Sequence, residues 1–416
     1  MNLPQFYRIN QDFGSDPGVE DIEAAARHAV MESGIAERIE PGAEVAVTGG
    51  SRGIHNIPEI LRSVGVALRE VGASPFVITA MGSHGGGTTV GQLAVLEELG
   101  ITEDSVDMPV RSTMATLEVG TTPEGMPVFL DAIANESAGV FIVGRVKKHT
   151  DFHGPIESGL CKMMALGLGK VRQANFIHAN RPGGFPATIE ALARVMVGTG
   201  KILGGMAIIE NRFGETAFLT GVPAEEIPDR EKELLKQSYE YFPMLPFTEA
   251  DILIVRRMGK NISGTGMDTN TLGRMYVEGE PEPAEPFIQL VGILELTRET
   301  EGNAAGIGLA DLTTRRLFES IDYQKTNLNT ITSNFLIRAK IPITLENDRE
   351  LLETAIGAIQ GPFRGSPRIG IIEDTLSLES ILVSEPLKEN LNGSAIIAGE
   401  EPLEFDHEGN IGFEKP

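Results

Sequence analysis

An alternation of two patterns constrains this chain most. Short apolar runs that end in glycine-rich or polar loops take turns with segments whose apolar residues recur at helical spacing. Glu44–Thr48 (EVAVT) runs into Gly-Gly, and Ile57–Val71 follows with Ile60, Leu61, Val64 and Leu68 at helical intervals. Pro75–Ala80 (PFVITA) ends in GSHGGG, and Val90–Leu99 is predicted helical. Gly139–Gly144 (GVFIVG) is a third buried strand that leads into RVKKHTDF, with a helix over Phe185–Val197 and a strand over Ile202–Glu210. Strands alternating with helices predict an α/β sheet that is largely parallel. Three strands end in TGGSRG, MGSHGGG and VKKHT. Ligands of open α/β sheets bind beyond the carboxyl ends of the strands. Arg52, His84 and His149 are therefore expected to face one crevice.

A length of 416 residues predicts two domains. A boundary is expected at Pro243–Thr248 (PMLPFT), after which Asp251–Arg256 (DILIVR) starts a new strand running into MGKNISGTGMDTN. The segment 278–286 (EGEPEPAEP) reads as a surface loop, Gln289–Leu296 as a strand and Asp348–Ile359 as a helix. The expectation is two α/β domains, 1–245 and 246–395, with the active site in the crevice between them. The tail 396–416 is expected to pack back on the first domain.

Several function classes are disfavoured. A formal net charge of -24 repels nucleic acid and anionic membrane surfaces alike. No apolar run is long enough to span a bilayer, and MNLPQFYRINQDFG lacks the features of a signal peptide. Cys161 is the only cysteine, so neither an internal disulfide nor a cysteine metal cluster is available. The expected location is the cytoplasm.

Thr48–His55 (TGGSRGIH) follows a strand and precedes a helix. Successive backbone N–H groups there suit an anion, which makes Gly50 and Ser51 candidate cofactor contacts. Arg52 matches a carboxylate bidentately and is a candidate substrate clamp. The string is also similar to the glycine motif of short-chain dehydrogenases, an alternative NAD(P)-dependent reading. That reading lacks its Tyr-x-x-x-Lys pair: none of Tyr7, Tyr239, Tyr241, Tyr276 and Tyr323 has lysine four residues on. His84, flanked by small residues at a strand end, is either accessible to substrate or a hydrogen-bonded loop residue. His28 and His407 lie in charged surroundings and read as surface residues. His149 and His153 have the spacing of a helical zinc pair, but Gly154 and Pro155 argue against a helix there.

Lys162 lies in the mostly apolar SGLCKMMALGLGK. Burial would disfavour its charge and sharpen its nucleophilicity, unless the ammonium snorkels to water. His178 follows sixteen positions later in ANFIHAN, and imidazole is a common nickel ligand.

Taken together, VAVTGGSR, ITAMGSHGG, VGRVKKHTDFHGPIESGLCKMMALG with its later His178, and DILIVRRMGKN resemble the nickel-dependent lactate racemase family. The resemblance covers most of the chain and is strongest from Val143 to His178. It implies a racemase or epimerase, an isomerase that inverts C2 of a 2-hydroxy acid. It implies a nickel-pincer nucleotide (pyridinium-3,5-bisthiocarboxylic acid mononucleotide) bonded to Lys162, with His178 as the remaining nickel ligand. His84 and His149 match the family's two bases on opposite faces of the substrate. The enzymes that build the cofactor are implied partners.

The chain departs from the family in two places. Gly49 stands where the family carries the aspartate of Asp-x-x-Arg, and the loop between His149 and Lys162 is longer, with GPIESGL replacing the glycine pattern. Both departures point to a substrate other than lactate, such as a larger hydroxy acid or a sugar acid. Glu157 and Lys260 are candidate contacts to its hydroxyl or carboxylate groups. His149 fits the second base better than His153, because it directly follows the strand. A non-catalytic hydroxy-acid binder is the remaining alternative, disfavoured by the presence of both bases and both cofactor residues.

Overall fold

The computed structural model describes residues 3–14, 16–360, 366–393 and 395–412. The chain forms two compact units: Ser15–Phe242, and Met1–Gly14 together with Pro243–Pro416.

The first strand, β1 (Phe6–Gln11), belongs to the second of these units. In the first unit β2 (Glu44–Gly49), β3 (Ser74–Thr79), β4 (Val110–Arg111), β7 (Gly139–Arg145), β8 (Ile202–Glu210) and β9 (Thr216–Val222) form a six-stranded sheet in the order β4-β3-β2-β7-β8-β9. All neighbours are parallel except β8 and β9. A separate hairpin, β5 (Thr116–Thr121) with β6 (Pro127–Asp131), lies between β4 and β7 in sequence.

Both faces of the sheet are covered, which explains why its strands read as continuous apolar runs rather than alternating ones. Ala46, Phe76, Ile78, Val140 and Ile142 pack with Leu160, Met164, Leu168, Ile189 and Leu192. Their neighbours Val45, Val47, Val77, Phe141 and Val143 pack with Ile60, Leu61, Val64, Leu68 and Ala29. The helices over Ile57–Glu70, Thr89–Glu98 and Gly184–Gly198 lie where the apolar spacing predicts them, within a few residues. The sequence pattern misses the hairpin and the helix Ile227–Glu240, which Leu234 and Leu235 anchor to the core.

The strand order reverses between β2 and β7. From β2 the chain proceeds outward to β3 and β4, whereas β7 proceeds to β8 on the other side. Direct pairing of β2 with β7 reaches Val47 opposite Phe141. Beyond it the Thr48 hydroxyl takes over, accepting from the Val143 N–H at 2.8 Å and donating to the Val143 carbonyl at 3.0 Å. Loops leaving the two strands diverge here, and such a switch point is where open α/β sheets bind ligands.

The second unit holds an eight-stranded sheet. Five parallel strands, β13 (Ile343–Leu345), β12 (Leu312–Thr314), β11 (Phe287–Leu296), β10 (Glu249–Met258) and β14 (Ile369–Ile372), continue into antiparallel β15 (Ser380–Ser384), β1 and β16 (Ala395–Glu400). Residues 3–14, expected in a 1–245 domain, belong to this unit instead. Ile9 is fully buried in this unit's core, and β1 supplies hydrogen bonds to strands on both sides. The strand in the 396–416 tail likewise pairs with β1 inside this unit, while residues 413–416 lie outside the described residues. Among the described residues no helix is long and apolar enough to cross a membrane.

Candidate functional site

Three loops at the carboxyl end of the first unit's sheet carry the residues singled out from sequence. The loop after β2 holds Gly50, Ser51 and Arg52. The helix that follows begins only at Ile57, behind a left-handed Asn56. Gly50 and Ser51 are therefore not at a helix N-terminus, as the motif had implied. Instead Ser51 Oγ lies 3.2 Å from His84 Nδ1, and Arg52 Nη2 lies 3.2 Å from His84 Nε2.

The loop after β3 carries His84, which is exposed. Its Nδ1 is 2.9 Å from the Met81 carbonyl oxygen. A carbonyl only accepts, so the Nδ1 proton is directed at it and Nε2 keeps its lone pair toward Arg52. Desolvation among its neighbours, followed by the like charge of Arg145, lowers the Arg52 pKa, although the residue itself is exposed. The guanidinium stays charged at any working pH. Arg145 itself is neutralised by an ion pair with Glu210.

The loop after β7, residues 146–159, is not helical. His149 and His153 therefore do not share a helix face, in keeping with the expectation from Gly154 and Pro155. His149 Nδ1 accepts from the Asp151 backbone N–H at 3.0 Å, and its ring stacks on Phe152 with centroids 4.2 Å apart. With Nδ1 accepting, the neutral ring carries its proton on Nε2. That nitrogen meets Lys162 Nζ. An N–H donor facing an ammonium is repulsive, so this tautomer favours the neutral amine. Desolvation pulls the Lys162 pKa down to about 8, with Arg52 and Lys147 adding to the fall and Asp151 opposing it.

Lys162 ends a short helix, Leu160–Lys162, that passes directly into a π turn over Met163–Leu168. Such turns recur at functional sites because they redirect side chains within a helix. The helix start has no side-chain cap of its own, since Gly159 precedes it. Glu231, arriving from the helix Ile227–Glu240, serves instead: its carboxylate accepts from the Cys161 N–H at 2.8 Å. A Cβ at Gly159 would strike that carboxylate. Burial pushes the Glu231 carboxyl up to about 7, against the lowering effect of those backbone donors.

His178 sits in the last turn of the helix Lys170–Ala179 and is half-buried. Desolvation and then Arg181 lower its pKa, so the imidazole is neutral at pH 7 and able to ligate. A chain of rings joins it to His149. His178 meets Phe185 edge-on with centroids at 6.0 Å, Phe185 stacks on Phe152 at 4.9 Å, and Phe152 stacks on His149. Sequence reasoning missed both phenylalanines; their flanking of the histidine segment was the available signal.

Two expected substrate contacts turn out differently placed. Glu157 is fully buried. It accepts from the His149 N–H at 2.6 Å, the Gly154 N–H at 3.1 Å and the Tyr239 hydroxyl at 2.5 Å, and lies 3.3 Å from His153 Nδ1. It organises the loop from inside. His153 correspondingly faces Glu157, which strengthens His149 as the histidine with chemistry to do. Lys260 belongs to the other unit, where its Nζ donates to the Gly264 carbonyl at 2.6 Å. At Gly49 the backbone is packed so that a Cβ would meet Val77 Cγ1 at 3.1 Å and Leu96 Cδ2 at 3.2 Å.

Among the described residues no group of three His, Cys, Asp or Glu is arranged to hold a metal ion. No protein-family model matches the chain, and no curated protein matches it in sequence. Its fold is similar to that of a solved structure, the lactate racemase apoprotein from Thermoanaerobacterium thermosaccharolyticum, at 14% identity and a TM-score of 0.50, covering 91% of this chain and 96% of that one.

Proposed function

We propose that this chain is a racemase or epimerase of 2-hydroxy acids that works with a nickel-pincer nucleotide. The observation that carries the reading is the pairing of the Lys162 amine with His149, beside a neutral His178, at the switch point of an α/β sheet. The lactate racemase-like fold supports it.

The donor set fits the cofactor. A desolvated lysine with a pKa near 8 has a neutral fraction at physiological pH and can form a covalent link through Nζ. A single half-buried histidine fits a metal whose other ligands come from the cofactor rather than from the protein. Lys162 and His178 would hold the group. When bound, it supplies an acceptor for the hydride that leaves C2.

The remaining chemistry belongs to side chains. Arg52 clamps the substrate carboxylate bidentately. His84, with its basic Nε2 beside that clamp, takes the C2 hydroxyl proton from one antipode and returns it. His149 serves the other antipode, its ring held by stacking on Phe152; taking a proton there requires the tautomer with the proton on Nδ1, which gives up the Asp151 N–H bond and frees Nε2. Gly49 leaves the first loop without a carboxylate, and the substrate class proposed is a 2-hydroxy acid larger than lactate.

The test is co-production with the cofactor-building enzymes, followed by intact and peptide mass spectrometry and a racemisation screen over a panel of 2-hydroxy acids. An adduct on Lys162 and inversion of at least one acid are expected. An unmodified Lys162 under those conditions overturns the reading.

A further inference from the structure

The loop that carries His84 has little stiffness of its own. Gly82, Gly85, Gly86 and Gly87 all adopt left-handed backbone conformations that glycine enters freely. Something outside the loop must define where the imidazole stands. Next to the loop's start lies Lys170, a lysine with none of its surface exposed. Its Nζ donates to the Thr79 carbonyl, to Thr79 Oγ1 at 2.9 Å and to Gln92 Oε1 at 3.2 Å, and forms an ion pair with the buried Asp131 at 3.1 Å. Thr79 is the last residue of β3, immediately before the loop. Gln92, also fully buried, uses its amide N–H groups on the loop itself, reaching the Gly82 carbonyl at 2.8 Å and the His84 carbonyl at 3.4 Å.

A buried ion pair is a poor route to stability, since apolar side chains of similar volume serve as well or better. Lys170 also sits at φ +56°, a left-handed conformation unusual for a residue with a side chain. Both features go unexplained by packing. They are explained by what the amine reaches. Lys170 is the first residue of the helix that ends just after His178. It ties that helix to the end of β3 and, through Gln92, to the two carbonyls that bracket the His84 turn.

We propose that Lys170, held by Asp131 and acting through Gln92, is a positioning residue that sets the His84 loop against the helix of His178. The proposal rests on reading His84 as the proton-transfer group for its catalytic meaning, though not for its geometry.

The test compares wild type with Lys170→Met and with the double variant Lys170→Met/Asp131→Asn. The double variant removes both charges yet keeps a side-chain oxygen to accept from the Ala134 N–H, as Asp131 does. Hydrogen exchange of the amides over residues 80–88 and the NMR titration of the His84 imidazole are read on the protein without cofactor. The double variant is expected to recover most of the thermal stability that the single variant loses. Its 80–88 amides are expected to exchange roughly tenfold faster or more, with β8 unchanged, and its His84 titration to move. Recovered stability with wild-type exchange and titration overturns the proposal. Gln92→Met keeps the ion pair and cuts only the amide contacts. It should loosen the same segment, and it carries the test if the double variant does not fold. None of these readouts needs nickel or substrate. A loop that loosens in a protein that never racemises anything upholds the positioning role and sinks the racemase reading.

Discussion

The backbone N–H of His149 donates to Glu157 Oε2 at 2.6 Å, and that carboxylate has no exposed surface. The base candidate is therefore held through its main chain by a buried anion, while its ring is held by Phe152 and Asp151.

Glu157→Ala should act on stability first. It strands the N–H groups of His149 and Gly154 and the Tyr239 hydroxyl, at an expected cost of about 2–4 kcal/mol. Urea unfolding measures it. A stable variant whose defect appears only as a raised KM would return Glu157 to the role of substrate contact.

Tyr239→Phe removes one of those donors without a change of shape. A loss of about 1–2 kcal/mol is expected, with faster exchange of the His149 amide. Unchanged exchange would show that the loop does not depend on this hydroxyl.

Glu231 gives a pH signature. Its carboxyl titrates near 7 when folded, above its ordinary value of 4.5, because burial disfavours the charge. Below pH 4.5 both folded and unfolded chains keep the proton, and the contribution to stability is fully present. As pH rises from 4.5 to 7 the unfolded chain releases the proton first, and stability falls by roughly 2–3 kcal/mol. Glu231→Gln keeps an acceptor for the Cys161 N–H and should flatten that slope in unfolding midpoints measured across this window.

Gly49→Ala should cost about 1–2 kcal/mol, because Val77 and Leu96 must give way. Gly49→Asp should cost more, since the carboxylate enters apolar surroundings. Chemical denaturation of both variants checks this, and a neutral Gly49→Asp would show that the loop readily turns outward.

In cofactor-loaded protein, His84→Ala and His149→Ala should each slow racemisation by about 10²–10⁴-fold and keep nickel. His178→Ala should lose the metal, read by elemental analysis. Full nickel and activity in His178→Ala would refute the ligand assignment.

The sheet of the first unit was readable from the sequence because its strands are buried on both faces and end at glycine-rich loops; Glu44–Gly49 and Ile202–Glu210 needed little else. The grouping of Arg52 with His84 followed from strand ends alone, and their 3.2 Å contact agrees with it. What sequence could not supply were the long-range partners. Glu157 and Tyr239 are 82 positions apart, and Lys170 and Thr79 are 91. No local spacing encodes such pairs, so Glu157 read as a substrate contact and Lys170 drew no notice. The place of β1 escaped for the same reason: Arg8 and Ser380, whose side chains meet at 3.4 Å, are 372 positions apart.

That strand sets a timetable. During synthesis residues 6–11 emerge early and wait while the whole Ser15–Phe242 unit is made and is free to fold. Their slot opens only when β15 and β16 leave the ribosome, long afterwards. Until then the second unit lacks one of its inner strands. A deletion of residues 6–11, or a proline placed among them, should therefore damage the later-made part of the protein and leave the unit built around Lys162 and His178 standing.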